Sequence, residues 1–229
     1  MTRRGFSVLE LVIALTLLML ISGVMFALFR TCSSNFQLGM VRQSLQGQLR
    51  RISTRLARDI RQTSFHSFSL RPATVSVDLQ PGTVNVGRDA ICMAHSNAYS
   101  ATTGQPIWDG YTVYISTPEV PRGQLVSFDV ASTVPQVAPG IDQKELQDFN
   151  DFVVSYKTVP SVKARLGTTK IWTKDVHQFA VTLDYADQVI KVRLGLRGES
   201  GHTQSGNRSL AEAAEVLIRF KAENTWPRL

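Results

Sequence analysis

Apolar and polar positions divide this chain into three regimes. Residues 6–29 are apolar with one charge, Glu10, and the 19 residues 11–29 carry none. As a helix, that uncharged stretch reaches close to 30 Å at about 1.5 Å per residue, enough to cross the hydrocarbon core of a bilayer. Apolar residues then recur at Phe29, Cys32 and Phe36, and again at Val41, Leu45, Leu49, Ile52, Leu56 and Ile60. Steps of four and three put the last six within about 110° of one helix face. No proline precedes Pro72, and Gly23, Gly39 and Gly47 weaken a helix without ending it. The pattern predicts one helix over residues 6–62, about 85 Å long. Its first half is apolar all round, and its second half is amphipathic and needs a folded domain to lie against.

Beyond residue 62 the periodicity changes to two. Strands are expected at 74–79, 90–94, 111–117, 124–130, 152–159, 177–185, 189–196 and 215–221, the clearest being the alternating Val189-Ile-Lys-Val-Arg-Leu-Gly-Leu196. Ala186-Asp187-Gln188 reads as a tight connection, which makes 177–196 a hairpin. Segments rich in Ser, Gly, Pro and Thr predict loops near 95–107, 131–141, 160–169 and 198–208, and Ala211–Ala214 suggests a short helical turn. One helix followed by a run of strands indicates an α+β fold, with an antiparallel sheet on the apolar face of the second half of the helix.

Composition changes this picture little. The chain has 229 residues, is 43% apolar and carries a formal net charge of +7. Arg3 and Arg4 supply two of those charges. Arg51, Arg55 and Arg58 form a basic stripe on the helix, with Arg50 and Arg61 further round. Such a stripe reads as a solvated face, and the lack of interleaved aromatic residues argues against nucleic-acid binding. Asp59 follows Arg55 by four, the spacing of a local ion pair. Cys32 and Cys92 read as two buried thiols, with a bridge between them as the alternative.

The start of the chain admits several readings. A cleaved secretory signal needs a small-x-small exit, and Phe26-Ala27-Leu28-Phe29-Arg30 offers none. Thr2-Arg3-Arg4-Gly5-Phe6 matches a twin-arginine signal only in part. Arg30 and Thr31 do not suit a lipoprotein site before Cys32. A plain uncleaved anchor, with Arg3 and Arg4 on the cytoplasmic side, leaves Glu10 unexplained. A carboxylate inside an apolar span costs roughly 2.5–3.5 kcal/mol unless partnered.

The string Arg-Gly-Phe-Ser-Val-Leu-Glu, residues 4–10, resembles the leader junction of type IV prepilins and type II secretion pseudopilins. Leu56-Ala-Arg-Asp-Ile-Arg-Gln62 is similar to the phrase that closes the long helix of J-type pseudopilins and W-type minor pilins. The resemblance implies a prepilin peptidase cut after Gly5, a new N-methylated terminus at Phe6, and an assembly role for Glu10 as fifth mature residue. The amine of Phe6 on one subunit would then face Glu10 of its neighbour, a pairing strong in low dielectric and costly to leave half made. It implies a division into leader 1–5, membrane-spanning stem 6–30, amphipathic stem 31–62 and β-rich head 63–229. It further implies a pilin-like fold and a single-pass protein of the cytoplasmic membrane, its N-terminus inside and its head outside. From there it would enter a pilus or pseudopilus in the periplasm or at the cell surface. Its partners would be other minor pilins or pseudopilins, the major subunit and the peptidase. One sequence leaves a type IV pilus and a type II secretion pseudopilus both open. A DNA-uptake pilus subunit is a further alternative.

No enzyme chemistry stands out. Gly198-Glu-Ser-Gly201 followed by His202 faintly resembles a serine-hydrolase nucleophile loop, but no Asp partner is placed, so a membrane-anchored hydrolase remains only a minor alternative. His66, His95, His177 and His202 are isolated, without metal-ligand spacing. Asp142, Glu145, Asp148 and Asp151 lack the Asp/Asn/Gly pattern of a calcium loop. Trp108, Trp172 and Trp226 read as core or interface residues. The expectation is a structural protein with no catalytic residue, metal or cofactor.

Overall fold

A computed structural model describes residues 7–79, 82–102, 104, 106–137, 169–199 and 211–221. The helix expected at the start is there: α1 runs unbroken over Val8–Gln62, 55 residues, or about 82 Å at the usual rise. It ends where the chain turns at Thr63, whose N–H reaches back to the Ile60 carbonyl at 3.3 Å. The Thr63 hydroxyl then donates to the Ala94 carbonyl at 2.6 Å and ties the helix end to the sheet. A short 3-10 turn, Phe65–Ser67, follows.

The strands are β1 (Phe68–Arg71), β2 (Thr74–Leu79), β3 (Gly82–Gly87), β4 (Ala90–Tyr99), β5 (Pro106–Ser116), β6 (Gly123–Val137), β7 (Lys170–Asp184), β8 (Val189–Glu199) and β9 (Ala211–Lys221). Seven form one antiparallel sheet in the order β1-β4-β5-β6-β7-β8-β9, and β2 and β3 pair as a separate hairpin. From β4 onward each described strand neighbours the next described one, and the β2–β3 hairpin is inserted between β1 and β4. The β7–β8 hairpin forms with Asp184 opposite Val189. Its turn holds Gln188 at φ 53°, the left-handed region that non-glycine residues rarely adopt.

Strand periodicity sorts the core into two layers. Ile91 and Met93 of β4, Tyr114 of β5 and Leu125 of β6 join the layer that packs on α1. Their neighbours Cys92, Ala94, Val113 and Phe128 point the other way and pack with Trp108 and Val130. Leu45, Leu49, Ile52, Leu56 and Ile60 of α1 are buried, and Val41 is partly so. The second half of the helix is therefore one wall of the principal core, lying mainly on β8 and β9. Each of those buried side chains contributes about 1.5–3 kcal/mol of apolar burial. The architecture is α+β, one long apolar-to-amphipathic helix on a large antiparallel sheet.

Several expectations are corrected. Residues 211–214 are not a helical turn: Ala211 pairs with Glu199 and Ala214 with Leu196 in β9. A cross-strand ladder overrides the intrinsic helix preference of an Ala-Glu-Ala-Ala run. Residues 95–99 extend β4 with irregular register, residues 131–137 extend β6, and Gly198 and Glu199 extend β8, where loops were expected. β1 and β3 went unforeseen, one being short and the other bounded by glycines. Cys32 is exposed, not buried, and no disulfide joins it to Cys92. The strand expected at 152–159 lies outside the described residues, as do the acidic run 142–151, Ser200, Gly201, His202 and Trp226.

Candidate functional site

The apolar half of α1 begins with a reciprocal cap. Ser7 accepts a hydrogen bond on Oγ from the Glu10 N–H at 3.3 Å, and Glu10 Oε2 accepts one from the Ser7 N–H at 3.0 Å. Each side chain satisfies a backbone donor that the first helical turn leaves open, and the Glu10 charge sits at the positive end of the helix dipole. Glu10 therefore has a local use that the sequence reading did not foresee: the acid belongs to the helix start, not to the middle of an apolar span. Gly5 and Phe6, the expected cleavage and methylation positions, lie outside the described residues.

Past this cap the helix is long and apolar enough to cross a membrane, and none of its most apolar window is buried against the head. Val8, Leu9, Phe26 and Phe29 are each about 70% exposed or more. Two threonine hydroxyls return to the helix backbone: Thr16 donates to the Ile13 carbonyl at 2.9 Å and Thr31 to that of Ala27 at 3.0 Å. The helix backbone and these two hydroxyls are thus satisfied internally, as an apolar solvent requires. Phe36 and Met40 carry the exposed apolar surface further along the stem.

Beyond them the exposed surface turns basic. Arg50, Arg51, Arg58 and Arg61 are exposed on the helix. Residues 1–62 hold nine arginines against Glu10 and Asp59, which accounts for the entire formal charge of +7, while residues 63–229 hold sixteen basic and sixteen acidic residues. Arg55 pairs with Asp59 at 2.9 Å, as the spacing predicts. Asp59 is buried and also accepts the Tyr114 hydroxyl at 2.5 Å. Burial first, then the Asp59 charge, holds the Tyr114 hydroxyl well above its ordinary pKa, so it remains a donor.

Next to this junction lies a polar cavity of about 230 Å³ between the helix end and β4–β6, lined by Arg55, Arg58, Asp59, His95, Thr112 and Asp129 among others. Thr112 donates to Asp129 Oδ1 at 2.7 Å and lies 3.2 Å from His95 Nδ1. The hydroxyl stands between acid and imidazole, and its proton is committed to the carboxylate. A nucleophile needs the imidazole in the middle, so this chain of contacts positions side chains and does not activate one. No group of three His, Cys, Asp or Glu among the described residues can hold a metal ion.

Two adjacent buried charges, Arg88 and Asp89, escaped the sequence reading entirely. Asp89 accepts from the Val181 N–H at 2.7 Å and the Ala73 N–H at 3.0 Å, and its own N–H donates to the Phe179 carbonyl at 2.8 Å. It locks the base of the β2–β3 hairpin to β7. Burial raises its pKa, and the two backbone donors oppose that. Burial, together with the charges of Arg88 and Arg197, lowers the pKa of His177. Trp172 donates to Ser127 Oγ at 2.8 Å with the Lys170 ammonium over its ring, and Trp108 is buried in the second layer. No family model, no curated protein and no solved structure matches this chain.

Proposed function

We propose that this chain is a structural minor pilin or pseudopilin. It is inserted in the cytoplasmic membrane, cut after Gly5, methylated at Phe6 and assembled with related subunits at or near the tip of a type IV pilus or a type II secretion pseudopilus. The observation that carries the proposal is the two-faced stem: one unbroken helix that leaves its first half bare and uses its second half as a wall of the head. A plain anchor needs no such continuity between lipid-facing and core-forming surface. The string at residues 4–10 supplies the rest.

The mechanism is mechanical and electrostatic. In the isolated chain Glu10 engages the N–H of Ser7. On assembly the terminal amine of a neighbouring Phe6 competes for that carboxylate, and a charged donor in low dielectric displaces a neutral one. Helix packing through exposed apolar faces supplies the adhesion.

Mass spectrometry of the mature protein tests this. The expected species begins at Phe6 and carries one extra methyl group. Retention of residues 1–5 in cells that possess the peptidase sinks the proposal. The concentration of charge on the stem favours one second reading, a DNA-uptake subunit. That reading predicts salt-sensitive retention of DNA by the detergent-solubilised chain, and it fails if no retention occurs at low salt.

A further inference from the structure

Arg88 stands between β3 and β4, where its backbone bridges to Phe179 of β7. Its side chain is 2% exposed. Among the described residues the guanidinium makes one long contact, Nη1 to Ser116 Oγ at 3.5 Å. Nε and Nη2 are buried with no hydrogen-bond partner among the described residues. A guanidinium has five N–H donors and does not shed its proton at any ordinary pH, so removing it from water without an anion is strongly unfavourable.

A second orphan lies on the strand that Arg88 bridges, two residues before Phe179, within electrostatic reach of the guanidinium. His177 Nδ1 is buried and also without a partner among the described residues, while the residue as a whole stays partly exposed. The backbone is bare where the guanidinium passes: a Cβ on Gly123 would collide with Arg88 Nη1 and the Thr117 carbonyl oxygen. The connection between β5 and β6 runs over this spot, and its tip, Pro118 to Pro121, is exposed. It carries Glu119, whose charge bears on Arg88.

We propose that Arg88 and His177 are the receiving half of a carboxylate-binding site beneath the β5–β6 connection. The Arg88 fork offers parallel donors to two carboxylate oxygens, and His177, with its proton on Nδ1, offers a third. The site lies toward the end of the head where Gly198 approaches Val41 of the stem, because Gly123 pairs with Val176 and Val176 with Leu196. Two sources supply the same chemistry, the chain's own Glu119 or an acidic side chain or terminal carboxylate of another chain. The inference stands independently of leader cleavage.

The test is an acetate titration of the full-length chain in detergent, against chloride at constant ionic strength, read as the shift in unfolding temperature. If an incoming carboxylate fills the site, the wild type responds, and Arg88→Met and His177→Ala each weaken the apparent acetate affinity by about tenfold or more. If Glu119 fills it, the wild type is silent and Glu119→Gln acquires the response, which a second change, Arg88→Met or His177→Ala, removes. Should Arg88→Met not fold, His177→Ala decides by the same criterion. The proposal is overturned if neither wild type nor Glu119→Gln responds, or if the response survives both Arg88→Met and His177→Ala undiminished.

Discussion

The Tyr114 hydroxyl donates to Asp59 Oδ2 at 2.5 Å, and this contact joins the middle of the sheet to the last turn of the stem across 55 residues of sequence. Asp59 spends the same oxygen on Arg55. A buried carboxylate is thus held by one charged donor from its own helix and one neutral donor from β5. The pair lies where the layer between helix and sheet passes from apolar side chains to polar ones.

Tyr114→Phe removes the neutral donor and leaves the carboxylate buried, so the cost should be about 1–3 kcal/mol. Denaturant midpoints of Tyr114→Phe, Asp59→Asn and the double variant measure it. Strict additivity between the two changes would show that the contact has no energetic content.

The cap at Ser7 and the charge at Glu10 can be separated. Glu10→Gln keeps a side-chain acceptor for the Ser7 N–H and loses only the charge, whereas Ser7→Ala loses the cap and keeps the charge at a cost of about 1 kcal/mol. The proposed assembly predicts that Glu10→Gln abolishes filament incorporation at unchanged helicity and that Ser7→Ala does not. Circular dichroism with an incorporation assay reads both. Equal loss in the two variants would reduce Glu10 to a cap.

Two glycines should respond in opposite directions to the same change. A Cβ at Gly47 meets no described atom within 4 Å, so Gly47→Ala should stabilise the stem by about 0.5–1 kcal/mol. At Gly123 the added atom meets the Thr117 carbonyl and the Arg88 guanidinium, and Gly123→Ala should destabilise by about 1–3 kcal/mol. Thermal melts of the two variants side by side are the measurement.

His177 should make stability depend on pH. Burial, Arg88 and Arg197 together outweigh Glu215 and hold its folded pKa below the ordinary 6.5. The unfolded chain therefore takes up the proton first, and stability is lost as pH falls from 6.5 through the folded value. His177→Gln should flatten that part of the profile. A wild-type denaturation midpoint that rises on acidification over the same interval would contradict the sign.

The stem was legible because its signal is local. The four-and-three spacing of Leu45, Leu49, Ile52, Leu56 and Ile60 states both the helix and its buried face, and Thr63 ends it where the pattern ends. Strand β2 was legible for the same reason, since its alternation and flanking turn residues lie within a few positions. What escaped depends on partners far along the chain. Ala211–Ala214 is strand only because β8 lies beside it. Arg88 and Asp89 look like an ordinary charged turn until Phe179 and Val181 arrive some 90 residues later. Tyr114 gives no hint of Asp59. At the N-terminus the spacing of Ser7 and Glu10 also matches a capping box, so one acid carries two local signals at once.

The share of the stem in the core decides where this protein can be cut. Trimming within the lipid-compatible stretch, near residue 30, spares the helix side chains of the core, which run from Val41 to Ile60. Trimming at residue 63 strips Leu45, Leu49, Ile52, Leu56 and Ile60 from the interior and exposes the side chains they cover, Leu194 and Leu196 among them. A water-soluble fragment that begins after Gln62 would be a sheet with a missing side, prone to stick to its own kind.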